Sequence, residues 1–263
     1  MAGVVVMRFL VVVPVYNRPA LLWRCLWSIA NQTDPAFDVI VADDASTDPK
    51  VNEYMDDWCQ GSPLPNDGGS WFPMRQSENV GATRNLVEAI RSVDMDPDDV
   101  VFIVDGDDYL TDPEALAKYR ALYEDAGSLA QVVYGSYHPE PPDETCPPAR
   151  WIPVDVLADG SIREWSLANG IPWNHPLSFR RRIFDALSDD DFMIDGEWMR
   201  YGYDVTFMAP MIELAGVGVL HYRGDVYAYS SGLAESVSRF VPDEVRRENG
   251  HVLNQPRKYE PLR

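Results

Sequence analysis

The 263-residue chain is 46% hydrophobic, enough to bury a proper core in one large domain or two small ones, so disorder is not its default state. With 22 basic against 42 acidic residues the net charge is -20, which argues against a surface that tracks a nucleic-acid backbone by neutralising phosphates. Cys25, Cys59 and Cys146 are far apart and odd in number, favouring neither a disulfide framework nor a cysteine zinc site and fitting a reducing, cytoplasmic compartment.

The first fifteen residues are apolar but contain Arg8 and run into a turn between Pro14 and Pro19, unlike a cleaved signal peptide. Within them "FLVVVPVY" has the continuous apolar character of a strand buried on both faces. "NRPALLWRCLWSIANQ" follows with Leu22, Cys25, Leu26 and Ile29 at helical spacing, Asn17 placed as N-cap and Pro19 in the first turn. The alternation then repeats. "FDVIVADD" predicts a strand, "STDPKVNEYMDDWCQ" a helix, "WFPMRQSENVG" a short strand and turn, and "ATRNLVEAIRSV" another helix. "VVFIVDGDDYLTDP", from Val100 to Pro113, opens as a strand, and "TDPEALAKYRALYEDAG" closes this half as a helix with Thr111 and Glu114 in capping-box spacing.

Such alternation implies an α/β fold, Rossmann-like, with a mainly parallel sheet flanked by helices and a ligand site outside the carboxyl ends of the strands. Three strands end there in polar clusters: "PVYN", "DDAST" and "DGDD". After about residue 130 the texture changes, with a loop "HPEPPDETCPPAR" that reads as a lid or as a long connection. "VTFMAPMIELAGVGVL" is too short for a membrane span and carries Glu213, so a soluble or peripheral protein is expected.

Asp105, Asp107 and Asp108 stand directly behind a buried strand, in a chain already rich in negative charge. Residues two apart in an extended segment face one side, so Asp105 and Asp107 can aim at one point with Asp108 in support. Clustered hard oxygens suit Mg2+ or Mn2+, and such a cation would offset the carboxylates and hold a diphosphate against an acidic protein. The plainer reading is a turn whose aspartates cap the next segment.

Taken in order and at these intervals, "VVVPVYNRP", "VIVADDASTD", "ENVGATRN" and "FIVDGDDYL" resemble the nucleotide-sugar-binding half of the family 2 glycosyltransferases with the GT-A fold. The resemblance covers residues 1–112 and implies one domain over 1–240, with an acceptor-binding half at 113–240 and a C-terminal tail at 241–263. It implies that Asp105 and Asp107, with Gly106 between them, form the family's D-x-D motif, meeting the donor ribose and a Mn2+ or Mg2+ ion. Asp43 would read the base with Asp44 beside it, the backbone of Pro14, Val15, Tyr16 and Asn17 would line that base, and Arg84 would approach the nucleotide. A donor of UDP type is expected. Arg84 also reads as a solvent-facing helix residue, and Pro14 and Tyr16 as a turn.

In the second half "YGYDVTFMAPMIELAG" resembles the family segment that opens a helix with an acidic pair, placing Asp204 as catalytic base and Tyr203 where a Glu is usual. An acceptor hydroxyl needs a base, and attack opposite the leaving diphosphate inverts the anomeric centre. Asp204 also suits a helix N-cap. Trp173, Asn174 and His175 are candidates for sugar hydroxyls, or equally a buried Trp and a satisfied His. Arg180, Arg181 and Arg182 would face a phosphate or, by preference, solvent. Many members close the metal site with a His where this chain has Ser231 and Gly232. His221 is then a substitute ligand or, by preference, a core residue. The processive-synthase signature Gln-x-x-Arg-Trp is absent, favouring transfer of a single sugar to a hydroxyl acceptor: a glycan, a lipid-linked sugar or a modified nucleobase in DNA. Exposed aromatics in the second half would permit a homodimer. The rival readings are a catalytically inactive nucleotide-sugar-binding module and a sugar-phosphate nucleotidyltransferase, the latter disfavoured because "VPVYNRPALL" has no glycine.

Overall fold

The computed structural model describes residues 7–34, 36–61, 69–143, 146–230 and 242–262. The strands are β1 (Phe9–Val15), β2 (Phe37–Asp43), β3 (Trp71–Arg75), β4 (Val100–Ile103), β5 (Tyr109–Leu110), β6 (Val132–Pro139), β7 (Asn174–Arg180), the short β8 (Met193–Ile194) and β9 (Glu197–Trp198), and β10 (Val219–Tyr229). The helices are α1 (Pro19–Ala30), α2 (Pro49–Gly61), α3 (Ala82–Arg91), α4 (Ala115–Ala126), α5 (Val154–Asp159), α6 (Ile162–Asn169), α7 (Arg181–Asp185), α8 (Tyr203–Ala215) and α9 (Pro242–Leu253). Eight strands make one sheet in the order β3-β2-β1-β4-β7-β6-β10-β5. Pairing is parallel across β3-β2-β1-β4 and between β6 and β10, and antiparallel on both sides of β7 and at β5.

Strand periodicity explains the two core layers. In β1, Phe9, Val11, Val13 and Val15 face one layer with Leu22, Cys25, Leu26 and Ile29 of α1, while Leu10 and Val12 face the other with Leu86, Val87 and Ile90 of α3. β4 alternates likewise, Phe102 toward the first layer and Val101 and Ile103 toward the second. Both strands are covered on both faces, the burial a continuous apolar run requires.

Local capping departs from expectation at three places. Asn17 is not the N-cap of α1: Arg18 holds that position without a side-chain cap, and the Asn17 Oδ1 accepts from the Thr47 and Asp48 N–H groups instead. No capping box forms at Thr111. That residue continues the edge strand, donating its N–H to the Val226 carbonyl, and α4 begins only at Ala115. Asp204 lies within the first turn of α8, whose N-cap is Gly202.

The arginine run is neither a phosphate site nor a solvated face. Arg180 is buried and donates to the carbonyls of Ala130, Gly127 and Asp98, Arg181 donates to those of Ile90 and Val93, and Arg182 pairs with Asp98. The proline-rich loop is pinned at its far end, where the Arg150 N–H donates to the Pro172 carbonyl. Of the large exposed aromatics, Tyr16, Trp23, Trp27 and Phe72 lie in the first half and Trp151 in the second. No helix among the described residues is long and apolar enough to cross a membrane.

The segment beyond residue 240 carries α9, which packs on α6 and α8. It is locked there by a buried ion pair. The Arg163 guanidinium (α6) grips Glu213 (α8) at 2.6 and 3.3 Å and donates to the Val252 carbonyl (α9) at 2.6 Å. Glu213, the residue that breaks the apolar pattern of α8, is fully buried and also accepts from the Lys258 and Tyr259 N–H groups. Removing one partner strands a charge in the core. Arg163→Met is expected to destabilise the protein by about 3–5 kcal/mol in urea unfolding, while Arg163→Met with Glu213→Leu recovers much of the loss.

Candidate active site

The carboxyl ends of β1 and β4 lie side by side, while the chain leaves β1 toward β2 on its other flank. A crevice is left at this switch in strand order. Gly106 closes it tightly: its N–H donates to the Pro14 carbonyl at 3.0 Å, and a Cβ there would stand 2.8 Å from that oxygen. Above the seam opens a cleft of about 470 Å³, lined among others by Pro14, Val15, Tyr16, Arg18, Asp44, Asp105, Asp107, His175, Tyr203 and Asp204.

The three aspartates behind β4 have carboxylate oxygens that all lie within 4.8 Å of one another. Each is held by different partners. Tyr203 donates its hydroxyl to Asp105 Oδ1 at 2.5 Å, and His175 Nε2 is 3.7 Å from Asp105 Oδ2. Arg18 pairs with Asp107. Asp108 accepts from the Tyr227 hydroxyl and from the Ser230 N–H, both at 2.8 Å, and is almost wholly buried. Tyr227 also receives the Asp105 N–H at 3.1 Å. Burial raises the Asp105 pKa to about 6 against the opposing Tyr203 bond, and burial together with the neighbouring aspartates raises Asp107 and Asp108. A divalent cation fits this donor set: hard oxygens at short separation whose mutual repulsion it would relieve, with Asp105 and Asp107 on the cleft and Asp108 committed to the scaffold.

Asp204 reaches the same cleft from the first turn of α8. Burial raises its pKa, while the Val205 N–H opposes the shift. The helix is set by Glu248 of α9, whose carboxylate accepts the N–H groups of Arg200, Tyr201 and Gly202 at 2.8–3.0 Å. Such a carboxylate satisfies donors at a helix start and favours its dipole. His175 is pushed down to about 4 by burial, so its ring is neutral at neutral pH. Its Nδ1 has no partner among the described residues.

Not every expected residue reaches the cleft. Asp43 turns into its own loop, accepting from the Ser46 N–H and hydroxyl, while Asp44 lines the cleft and accepts the N–H groups of Val80 and Gly81 at 2.7 and 2.9 Å. Asn17 braces the Thr47 turn. Arg84 is paired with Glu88 one turn along α3 and does not line the cleft; Asn85 does. Trp173 is a core residue, 2% exposed, and Asn174 donates to the Pro147 carbonyl. Of that trio only His175 reaches the cleft. His221 stacks on Tyr134 and meets Ser136 at 2.9 Å, outside the lining. The ligand position expected near Ser231 and Gly232 lies outside the described residues.

Sequence reasoning missed Arg18, Arg200, Val245 and Asn249 in the lining and Tyr227 beneath it. Val245 and Asn249 are one helical turn apart, a spacing visible in the sequence but without meaning until α9 is docked. Arg200 approaches because Gly81 is a glycine at φ 89°: a Cβ there would be 2.9 Å from the Arg200 Cα.

A family model described as Glycosyl transferase family 2 matches residues 10–201. The chain belongs to that family. This family 2 member matches no curated protein. Solved structures share its fold. Staphylococcus aureus TarS is 17% identical with a TM-score of 0.62, covering 96% of this chain and 41% of its own. TarS 1-349 in complex with UDP-GlcNAc is 18% identical with a TM-score of 0.63, covering 96% and 68%. The mannosyltransferase PcManGT from Pyrobaculum calidifontis, in complex with GDP-Man and Mn2+, is 20% identical with a TM-score of 0.58, covering 94% and 68%. Glucosyl-3-phosphoglycerate synthase from Mycobacterium tuberculosis, with Mn2+, UDP and glucosyl-3-phosphoglycerate, is 16% identical with a TM-score of 0.56, covering 93% and 80%. The chain thus spans under half the length of the full TarS structure. The GT-A type fold expected of this family 2 chain is the one it has.

Tyr227 carries the inner wall of the site. Tyr227→Phe leaves Asp108 Oδ2 and the Asp105 N–H each without their hydroxyl partner, and the expected loss is about 1–3 kcal/mol in urea unfolding.

Proposed function

We propose that the chain is an inverting, metal-dependent glycosyltransferase that moves one sugar from a nucleoside diphosphate sugar to an acceptor hydroxyl. The observation that carries this reading is the convergence of Asp105, Asp107 and Asp204 on one cleft at the carboxyl ends of β1 and β4. The base of the donor lies along Pro14, Val15 and Tyr16 with Asp44 at its end, and Asp105 is oriented for the donor by the Tyr203 hydroxyl. Uridine is the first nucleotide to test, since TarS and the mycobacterial synthase were solved with uridine nucleotides, while PcManGT was solved with GDP-Man.

Asp105 and Asp107 would hold Mn2+ or Mg2+, which when bound stabilises the charge of a leaving diphosphate. Asp204 accepts the proton of the acceptor hydroxyl as that oxygen attacks the sugar carbon. Its raised pKa makes it a stronger base than an exposed aspartate, and attack from the face opposite the diphosphate inverts the anomeric centre. His175, held neutral, is placed to meet a sugar hydroxyl. The net charge of -20 favours a glycan or lipid-linked sugar over a nucleobase in DNA as acceptor.

The test incubates the purified protein with a panel of nucleotide sugars in Mn2+, Mg2+ or chelator and measures free nucleoside diphosphate. Slow release from one donor, with water taking the sugar in place of the acceptor and abolished by chelator, is the expected result. Asp204→Asn is expected to lower that turnover by about 10²–10⁴ with donor binding intact. Metal-dependent nucleotide binding without turnover across the panel would favour an inactive binding module instead.

A further inference from the structure

The turn from β1 into α1 is built in a costly conformation. Asn17 and Arg18 both lie at φ 59°, the left-handed region that non-glycine residues rarely occupy. The surrounding loop over-determines them: Asn17 Oδ1 accepts the Thr47 and Asp48 N–H groups at 2.9 and 3.0 Å, and the Asn17 N–H donates to Ser46 Oγ at 2.7 Å. Arg18 stands where a helix N-cap usually offers a side-chain oxygen, and its side chain makes no cap hydrogen bond. Its guanidinium instead enters the cleft and pairs with Asp107 Oδ2. Burial and the neighbouring Asp105 disfavour a charge on Asp107, and Arg18 opposes both.

This carboxylate differs from its neighbours. Asp105 is held by a neutral phenol and Asp108 by a phenol and an amide, so only Asp107 among the three has a cationic side chain on its carboxylate among the described contacts. We propose that Arg18 is the built-in counter-ion of the cation site: it holds Asp107 while no cation is bound and passes to the donor's diphosphate once a cation takes Asp107. The inference rests on the donor reading above. A guanidinium and a divalent cation beside one carboxylate repel each other. A diphosphate carries more negative charge than the carboxylate Arg18 gives up, and it matches the guanidinium fork. Cation and donor therefore bind cooperatively: Arg18 opposes the first alone and rewards the pair. By linkage the donor must tighten the cation by the same factor.

Mn2+ binding is measured by the paramagnetic resonance of free Mn2+, with and without UDP, for the wild type, Arg18→Gly, Arg18→Gln and Arg18→Lys. Glycine suits the φ of this position, so Arg18→Gly removes the guanidinium while keeping the turn. Without UDP, Mn2+ should bind about tenfold tighter to Arg18→Gly and Arg18→Gln, and the tightening that UDP confers should shrink by a similar factor, with Arg18→Lys nearer the wild type. Unchanged or weaker Mn2+ binding by folded Arg18→Gly, with wild-type coupling to UDP, overturns the counter-ion role and leaves the donor reading standing. A wild type that binds neither Mn2+ nor UDP, and no GDP either, overturns both.

Discussion

Three carboxylates packed behind the buried end of β4 are the constraint around which the rest of the site is arranged. Burial raises the pKa of all three, neighbouring carboxylates add to the rise at Asp107 and Asp108, and a cation would relieve both. The protein answers with a separate partner for each. Asp108 is absorbed into the scaffold by Tyr227 and Ser230 of the last sheet segment, Asp105 is turned by Tyr203 of α8, and Asp107 is met by Arg18 of the first turn. Strands and helices far apart in the chain are thereby fastened to four consecutive residues.

The same economy sets the wall of the cleft that carries Asp204. Asp204 owes its place to a helix whose start is clamped by Glu248, and α9 is itself held by the buried pair of Arg163 and Glu213. A carboxylate at the surface of the cleft is thus positioned through two others that never reach it. The residues matched by the family model end at 201, just before this helix. The chemistry proposed for Asp204 therefore depends on Gly202, Glu213 and Glu248, residues outside the matched span.

Much of the first half was legible in advance. Apolar runs two-sided enough for central strands, helical spacing in α1 and α3, and polar clusters at strand ends are enough to place the cleft. Failures came where a side chain had a choice of partner. Asn17 and Thr111 have N-cap chemistry, yet each went to a neighbouring loop or strand because those groups were left unpaired there. Asp43 and Arg84 sit in matching motifs but found nearer partners in Ser46 and Glu88. Arg180 and Arg181, read as surface charge, instead satisfy carbonyls at the ends of buried elements, while Arg182 pairs with Asp98.

By itself the sequence determined the order of elements in the first half, the buried strands among them and the end of the sheet at which acidic groups gather, because periodicity and strand-end polarity are local properties. Only the tertiary structure decided which carboxylates face the cleft, which are scaffold, and that Tyr203, Tyr227, Arg18 and Glu248 serve them. Those assignments depend on hydrogen bonds between residues tens to over a hundred positions apart, and a long-range pairing leaves no periodic trace in the chain that makes it.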